Sequence, residues 1–262
     1  MDHSFARTET IYWAAVGVLV VLFALVLGLQ LFDKRMVAGE SNWTKPLKFH
    51  LALAVHFATL ALATSTLGDS YRASPLLLAV AVAAVASAGF ELAYMTVQAA
   101  RLQMSHFNRS TPFHTVMYAL MAVGAVLITM AAGVVGLAVW LDKASSVGSV
   151  LRTAIALGLI GGTVLTLIVA FRMGAALSHH VGIEEANAAR VPFFGWSRTV
   201  GDLRVPHFLA THMMQVLPIA GLAIERFASG PIALVLIWII AAVWSTLTAY
   251  AFNRALAGQP FL

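Results

Sequence analysis

Residues 113–141, FHTVMYALMAVGAVLITMAAGVVGLAVWL, run for 29 positions without an Asp, Glu, Lys or Arg. A helix needs about 20 mostly apolar residues to cross the hydrocarbon of a bilayer, so this stretch is long enough to span. It shows none of the two-residue alternation of a membrane barrel strand, and only a helix then satisfies its backbone N–H and C=O groups in lipid. Ser110 or Thr111 before Pro112 reads as an N-cap followed by proline in the first turn, where a missing N–H costs nothing.

The same criterion marks six further runs, at residues 11–32, 47–68, 75–100, 149–178, 206–225 and 231–253. Pro46, Pro75, Pro206 and Pro231 each stand near the start of a run. The expected fold is therefore all-α, a polytopic bundle of seven transmembrane helices forming one domain over residues 1–262. Composition agrees: mean hydropathy is +0.87, with 60% hydrophobic and 10% charged residues, well outside the range of a water-soluble domain. The first run exceeds the ~7–15 residues of a signal-peptide core and follows Asp2, Arg7 and Glu9 rather than a basic segment, so it is expected to remain as a helix. No internal repeat suggests a carrier built from two halves.

Lys and Arg set the expected orientation. With the N-terminus outside, Lys34, Arg35, Lys45, Lys48, Arg101, Arg109, Arg172, Arg190, Arg198, Arg204 and Arg254 face the cytoplasm, eleven against five outside (Arg7, Arg72, Lys143, Arg152 and Arg226). The positive-inside rule favours this arrangement, with the C-terminus cytoplasmic. The net charge of +5 then meets anionic lipid rather than nucleic acid, for which no motif is present. Eight of the nine histidines fall on the cytoplasmic side under this topology: His50, His56, His106, His114, His179, His180, His207 and His212. An ionisable side chain in hydrocarbon is costly, which makes each of these a functional candidate.

Glu91 is the one carboxylate well inside a run. Tyr94, Gln98 and Arg101 follow it at helical spacing and lie within about 80° of one another, giving the third span a polar face. That face either satisfies itself, with Arg101 reaching the interface, or serves as ligand, proton carrier or partner of a histidine. Trp43, Lys45 and Lys48 have the character of interface anchors, and the lysines could also meet a lipid head group or an anionic ligand. His114 fits helix-start chemistry. His207, Thr211, His212 and Gln215 form a polar arc in the sixth run, and Asp202 with Arg204 reads as a loop ion pair or as part of a site.

Trp43-Thr44-Lys45-Pro46-Leu47-Lys48-Phe49, Ser105-His106-Phe107-Asn108 with Thr111-Pro112, and Gly195-Trp196-Ser197 followed by Gly201-Asp202-Leu203-Arg204-Val205-Pro206-His207-Phe208, His212 and Gln215 resemble a widespread group of bacterial multi-pass membrane proteins of uncharacterised activity. The resemblance covers residues 42–218. It implies the seven-span fold and singles out His106, His180, His207 and His212 as the usual histidines, with the positions of His50 and His56 commonly apolar. It implies no reaction.

Three function classes stay open. The first is a membrane metalloprotein, an oxidoreductase or hydrolase whose metal ligands are His106, His180, His207 and His212. Glu91, Tyr94, Arg101 and Asp202 are then its catalytic candidates, and Trp43, Lys45, Arg204 and Gln215 its cofactor contacts. With zero cysteines, iron–sulfur clusters and thiolate-ligated haem are excluded within this chain, leaving Fe, Cu or Zn on imidazole and carboxylate, or haem b. A quinone or another hydrophobic small molecule suits such a centre as substrate. HExxH, HxxxH and ExxH patterns are absent. The second class is a proton-coupled transporter using Glu91, Tyr94 and the histidines as a relay. The third is an assembly subunit without chemistry of its own.

Overall fold

In the computed structural model, residues 8–37, 39–185 and 188–262 are described. Among the described residues, seven helices are long and apolar enough to cross a membrane. In chain order the elements are α1 (Thr8–Phe32), a hairpin of β1 (Met36–Val37) and β2 (Glu40–Ser41), α2 (Thr44–Ser65), the short α3 (Asp69–Arg72), α4 (Pro75–Ala100), α5 (Pro112–Leu141) and α6 (Ser149–Ala176). A second hairpin of β3 (His180–Val181) and β4 (Gly201–Asp202) precedes α7 (Arg204–Phe227) and α8 (Gly230–Leu256). Each expected span is present. The additions are α3 and the two antiparallel hairpins, too short for any periodicity to reveal.

Helix starts follow local chemistry. At α5, Thr111 Oγ1 accepts the His114 backbone N–H at 3.2 Å and Pro112 occupies the first turn. The Ser110 and Thr111 hydroxyls also lie 3.0 and 2.9 Å from His114 Nδ1, so this imidazole completes a helix cap, as its position suggested. α2 begins at Thr44, three residues before the apolar run, because Trp43, Lys45 and Pro46 extend the helix into the polar segment.

The chain divides into two compact units. Unit 1 comprises residues up to Ala138 together with Asp142–Ser146; unit 2 comprises Val147–Leu262 with Val139–Leu141. In unit 1, α1 packs on α2 and α4 around Val26, Trp43, Leu47 and Ala99. Asp142 ties the loops at one end, accepting the Gly68 N–H at 2.6 Å and the Ala144 N–H at 2.9 Å.

In unit 2, α6 and α7 approach closely because α6 presents glycine. A Cβ on Gly158 would lie 3.0 Å from the Met213 carbonyl and 3.1 Å from Pro218 Cδ, and one on Gly162 would lie 3.2 Å from the Ala210 carbonyl. This is the small-residue packing by which helices associate in lipid, where apolar burial alone supplies no drive. Pro218 interrupts α7 and lacks the N–H that would bond the carbonyl four residues back. Val150, Ala154, Ala233 and Ile237 join α6 to α8, and Met213, Leu217 and Ala241 join α7 to α8.

Candidate functional site

The candidate residues fall into the two units. Unit 1 holds Trp43, Lys45, Glu91, Tyr94, Arg101 and His106; unit 2 holds His180, Asp202, Arg204, His207, His212 and Gln215.

In unit 1, α4 carries its polar face inward. Glu91 is 4% exposed, Tyr94 8% and Gln98 1%. Gln98 Nε2 donates to the Met104 carbonyl at 3.3 Å, turning the chain out of the helix. Among the described residues, Glu91 Oε1 and the Tyr94 hydroxyl have no hydrogen-bond partner, although an unpaired buried polar atom ordinarily costs ~1–3 kcal/mol. Room for Glu91 comes from α5: a Cβ on Gly124 would stand 3.0 Å from Oε1. The cation whose field reaches Glu91 is Lys45, the second residue of α2, whereas Arg101 acts on Tyr94.

Lys45 Nζ lies 5.9 Å from the centroid of Phe49, whose ring packs at 5.6 Å against His106. Burial, then the Lys45 charge, pushes the His106 imidazole down to about 3, so it is neutral across the physiological range. Ser105 Oγ is 3.2 Å from His106 Nδ1.

Trp43 packs inside unit 1. It is 5% exposed, and its indole N–H donates to Asp33 Oδ2 at 2.9 Å. Asp33 also receives Arg35 Nε at 2.9 Å, Arg35 Nη2 at 2.8 Å and Asn42 Nδ2 at 3.1 Å. Arg35 foremost holds this carboxyl far below the ordinary range. The Asp33 hub therefore locks the α1–α2 turn and gives Trp43 a structural role.

His50 Nδ1–H donates to the Pro46 carbonyl at 2.7 Å and His56 Nε2–H donates to the Ile128 carbonyl at 3.2 Å. Because a carbonyl only accepts, the bonded ring nitrogen carries a proton in each case.

In unit 2 the β3–β4 register sets His180 opposite Asp202. Asp202 is 2% exposed. It accepts Arg204 Nε at 2.9 Å and Nη2 at 2.6 Å, and the backbone N–H groups of Ser197 and Arg204 at 2.9 and 3.0 Å. Arg204 Nη2 also donates to the Gly195 carbonyl at 2.7 Å. His180 sits between two carboxylates, with Nε2 3.6 Å from Asp202 and Nδ1 3.7 Å from Glu184. Arg190 pairs with Glu184 at 2.8 Å. Burial works to raise Asp202, but His180, Arg204 and the Ser197 N–H outweigh it and hold the carboxyl well below its usual value. Glu184 was not singled out by sequence, since nothing in its spacing announces that the loop folds it back onto His180.

On α7, Gln215 Oε1 lies 3.0 Å from His212 Nδ1, and the Phe208 ring is 4.1 Å from that imidazole. Phe208 in turn meets Trp196, which stacks on Phe194 at 4.3 Å. His207 Nδ1 is buried without a partner among the described residues. Thr211 Oγ1 donates to the His207 carbonyl at 2.9 Å and is 3.3 Å from Thr166 Oγ1. Among the described residues, no group of three or more His, Asp or Glu is placed to hold a metal ion.

Fold and geometry together define a polytopic α-helical membrane protein with a buried carboxylate–phenol face in unit 1 and a His–carboxylate–Arg cluster in unit 2. No protein family, no curated protein and no solved structure matches the chain.

Proposed function

We propose that the chain is a proton-coupled membrane carrier of a small solute, with Glu91 as the group that takes up and releases the proton. The observation that carries this reading is the pair of unpartnered oxygens on one helix face, Glu91 Oε1 and the Tyr94 hydroxyl, in side chains buried by more than nine-tenths. Glu91 lies nine residues from the end of α4 at Ala100, or ~14 Å by helical rise, well inside the span. A carboxyl there can alternate between charged and neutral forms, and the two forms couple to the field of Lys45 and to a solute's own charge. Tyr94 both donates and accepts, which suits a relay partner one turn away.

The test is purified protein in vesicles enclosing a pH-sensitive dye. Wild type should dissipate an imposed pH gradient, and Glu91→Gln should slow that flux on the order of 10²-fold at unchanged folded yield. Equal rates for the two proteins would sink this reading.

A second reading, a metal- or haem-dependent oxidoreductase, is favoured by the unpartnered His207 Nδ1 and by His212, whose ring Gln215 orients. The donor set of the described residues does not fit a metal cage of three or more side chains. A centre with one or two imidazole ligands from unit 2, such as haem b with a quinone as electron partner, remains the form of this reading that suits the residues. Metal analysis and an optical spectrum decide it: a Soret band lost in His207→Ala supports it, and protein without haem or stoichiometric Fe, Cu or Zn overturns it. The orientation with eleven cytoplasmic cations and a bacterial inner-membrane setting belong to both readings as proposals.

A further inference from the structure

We infer that Glu9, Tyr12 and Arg72 form a second proton-exchange site in unit 1, at the end opposite Lys45, built to hold one water molecule or hydronium ion. The inference rests on the proton-coupled reading above and supplies its second port.

Placement comes from topology. α1 begins at Thr8 and α2 ends at Ser65, while the α1–α2 turn carries Asp33 and Lys45 follows it. Consecutive spans alternate direction, so Glu9 on α1 and Arg72 on α3 lie at the end of the unit away from Lys45 and His106. Glu9 is 8% exposed and Tyr12 0%. The Arg72 guanidinium donates through Nε at 3.0 Å, and through Nη2, to a single carboxylate oxygen, Glu9 Oε1. Thr8 Oγ1 donates to the Arg72 carbonyl at 3.4 Å and holds the pair in place.

What remains is specific. Among the described residues, Glu9 Oε2 is buried with no partner, and so is the hydroxyl of Tyr12, three residues along the same helix face. The Tyr12 ring is fixed by stacking on Phe57 at 5.8 Å, with 18° between the planes. A free carboxylate oxygen only accepts, and a phenol both donates and accepts, so a ligand suited to the pair donates to Glu9 and can exchange a bond with Tyr12. An anion is disfavoured by the carboxylate. Water and hydronium meet both demands and are small enough for a site this deeply packed.

The surrounding charges agree. Asp69 is the other carboxylate that acts on Arg72. The first sixteen residues of α4 include no titratable group. The last titratable group along α2 is His56, whose ring meets Phe57 edge-on at 5.6 Å. When hydronium donates to Glu9 Oε2, one proton passes to the carboxylate, leaving water and a neutral carboxyl while Arg72 keeps its charge. Release reverses the step.

Two measurements on the full chain in vesicles test the site. The first is radiolytic labelling with oxygen-18 water, in which a residue beside a bound water is oxidised although it is buried. Tyr12 should label about as strongly as the part-exposed Tyr71, while Phe57, 1% exposed and stacked upon it, stays unlabelled. Equal protection of Tyr12 and Phe57 overturns the inference. The second is the flux of Tyr12→Phe, which removes one unpartnered oxygen and should leave folding intact; a fall of about 10-fold is expected. Wild-type flux that Tyr12→Phe leaves unchanged overturns the port while Glu91 stands. No flux in wild type overturns the proton-coupled reading itself, and a labelled Tyr12 then identifies a water site only, with the proton port rejected.

Discussion

Gly201→Ala should unfold the β3–β4 hairpin from α8 and lower the folded yield sharply. Gly201 is buried in β4, and a Cβ there would run into the backbone carbonyl of Ala255 near the end of α8. Because the obstacle is backbone inside a helix, no side-chain rotation relieves it. The contact stands over Val169, Leu203 and Ala255, the cluster that seats the hairpin on α6 and α8. Overpacking of this kind costs about 3 kcal/mol or more, which is a large part of a domain's net stability. The control is Gly17→Ala in α1, where an added Cβ meets nothing within 4 Å. That change removes a flexible residue from a helix interior and should be neutral or stabilising by ~0.5–1 kcal/mol. Thermal unfolding in one detergent reads both variants, and equal melting temperatures would refute the close approach.

Asp202→Asn is the second large effect. The carboxylate accepts three bonds from the Arg204 side chain, through Nε and Nη2, and two from backbone N–H groups, and it faces His180. Asn keeps the shape but offers one oxygen, leaving Arg204 without a counter-charge at a partly buried position. A loss of about 2–3 kcal/mol is expected. The pH dependence follows from the direction of the shift. A carboxyl held below its unfolded value of ~3.9 contributes fully above that value, and the contribution is lost as pH falls through the depressed native value. Wild type should therefore lose melting temperature from about pH 4 downward. Asp202→Asn should lack that component, and the two curves should converge in acid. Parallel curves would show that Asp202 contributes nothing through its charge.

The spans were legible because a bilayer imposes one strong requirement, an apolar run long enough to cross, and each of the seven runs meets it locally. The polar face of α4 was legible for a related reason: helical geometry fixes which of Glu91, Tyr94 and Gln98 share a side, whatever surrounds them. The cap of α5 was legible too, since Thr111, Pro112 and His114 are close in sequence.

Partners across the fold were not. Lys45 as the cation facing Glu91, Gly124 as the residue that makes room for it, and Arg72 as the partner of Glu9 involve separations of tens of residues. Trp43 shows the limit most clearly. Its setting beside two lysines reads as an interface anchor, yet the turn carrying Asp33 folds the indole inward. His180 and Asp202 lie 22 positions apart and meet only through a two-residue hairpin register, while Glu184 returns to the same imidazole through an irregular loop. Length, apolar character and helical periodicity are properties of a local stretch of chain, so sequence alone determined the spans and the faces of the helices. Which charge neutralises which, and which buried oxygens are left without a donor, depend on distances between separate elements, and those only the tertiary packing decided.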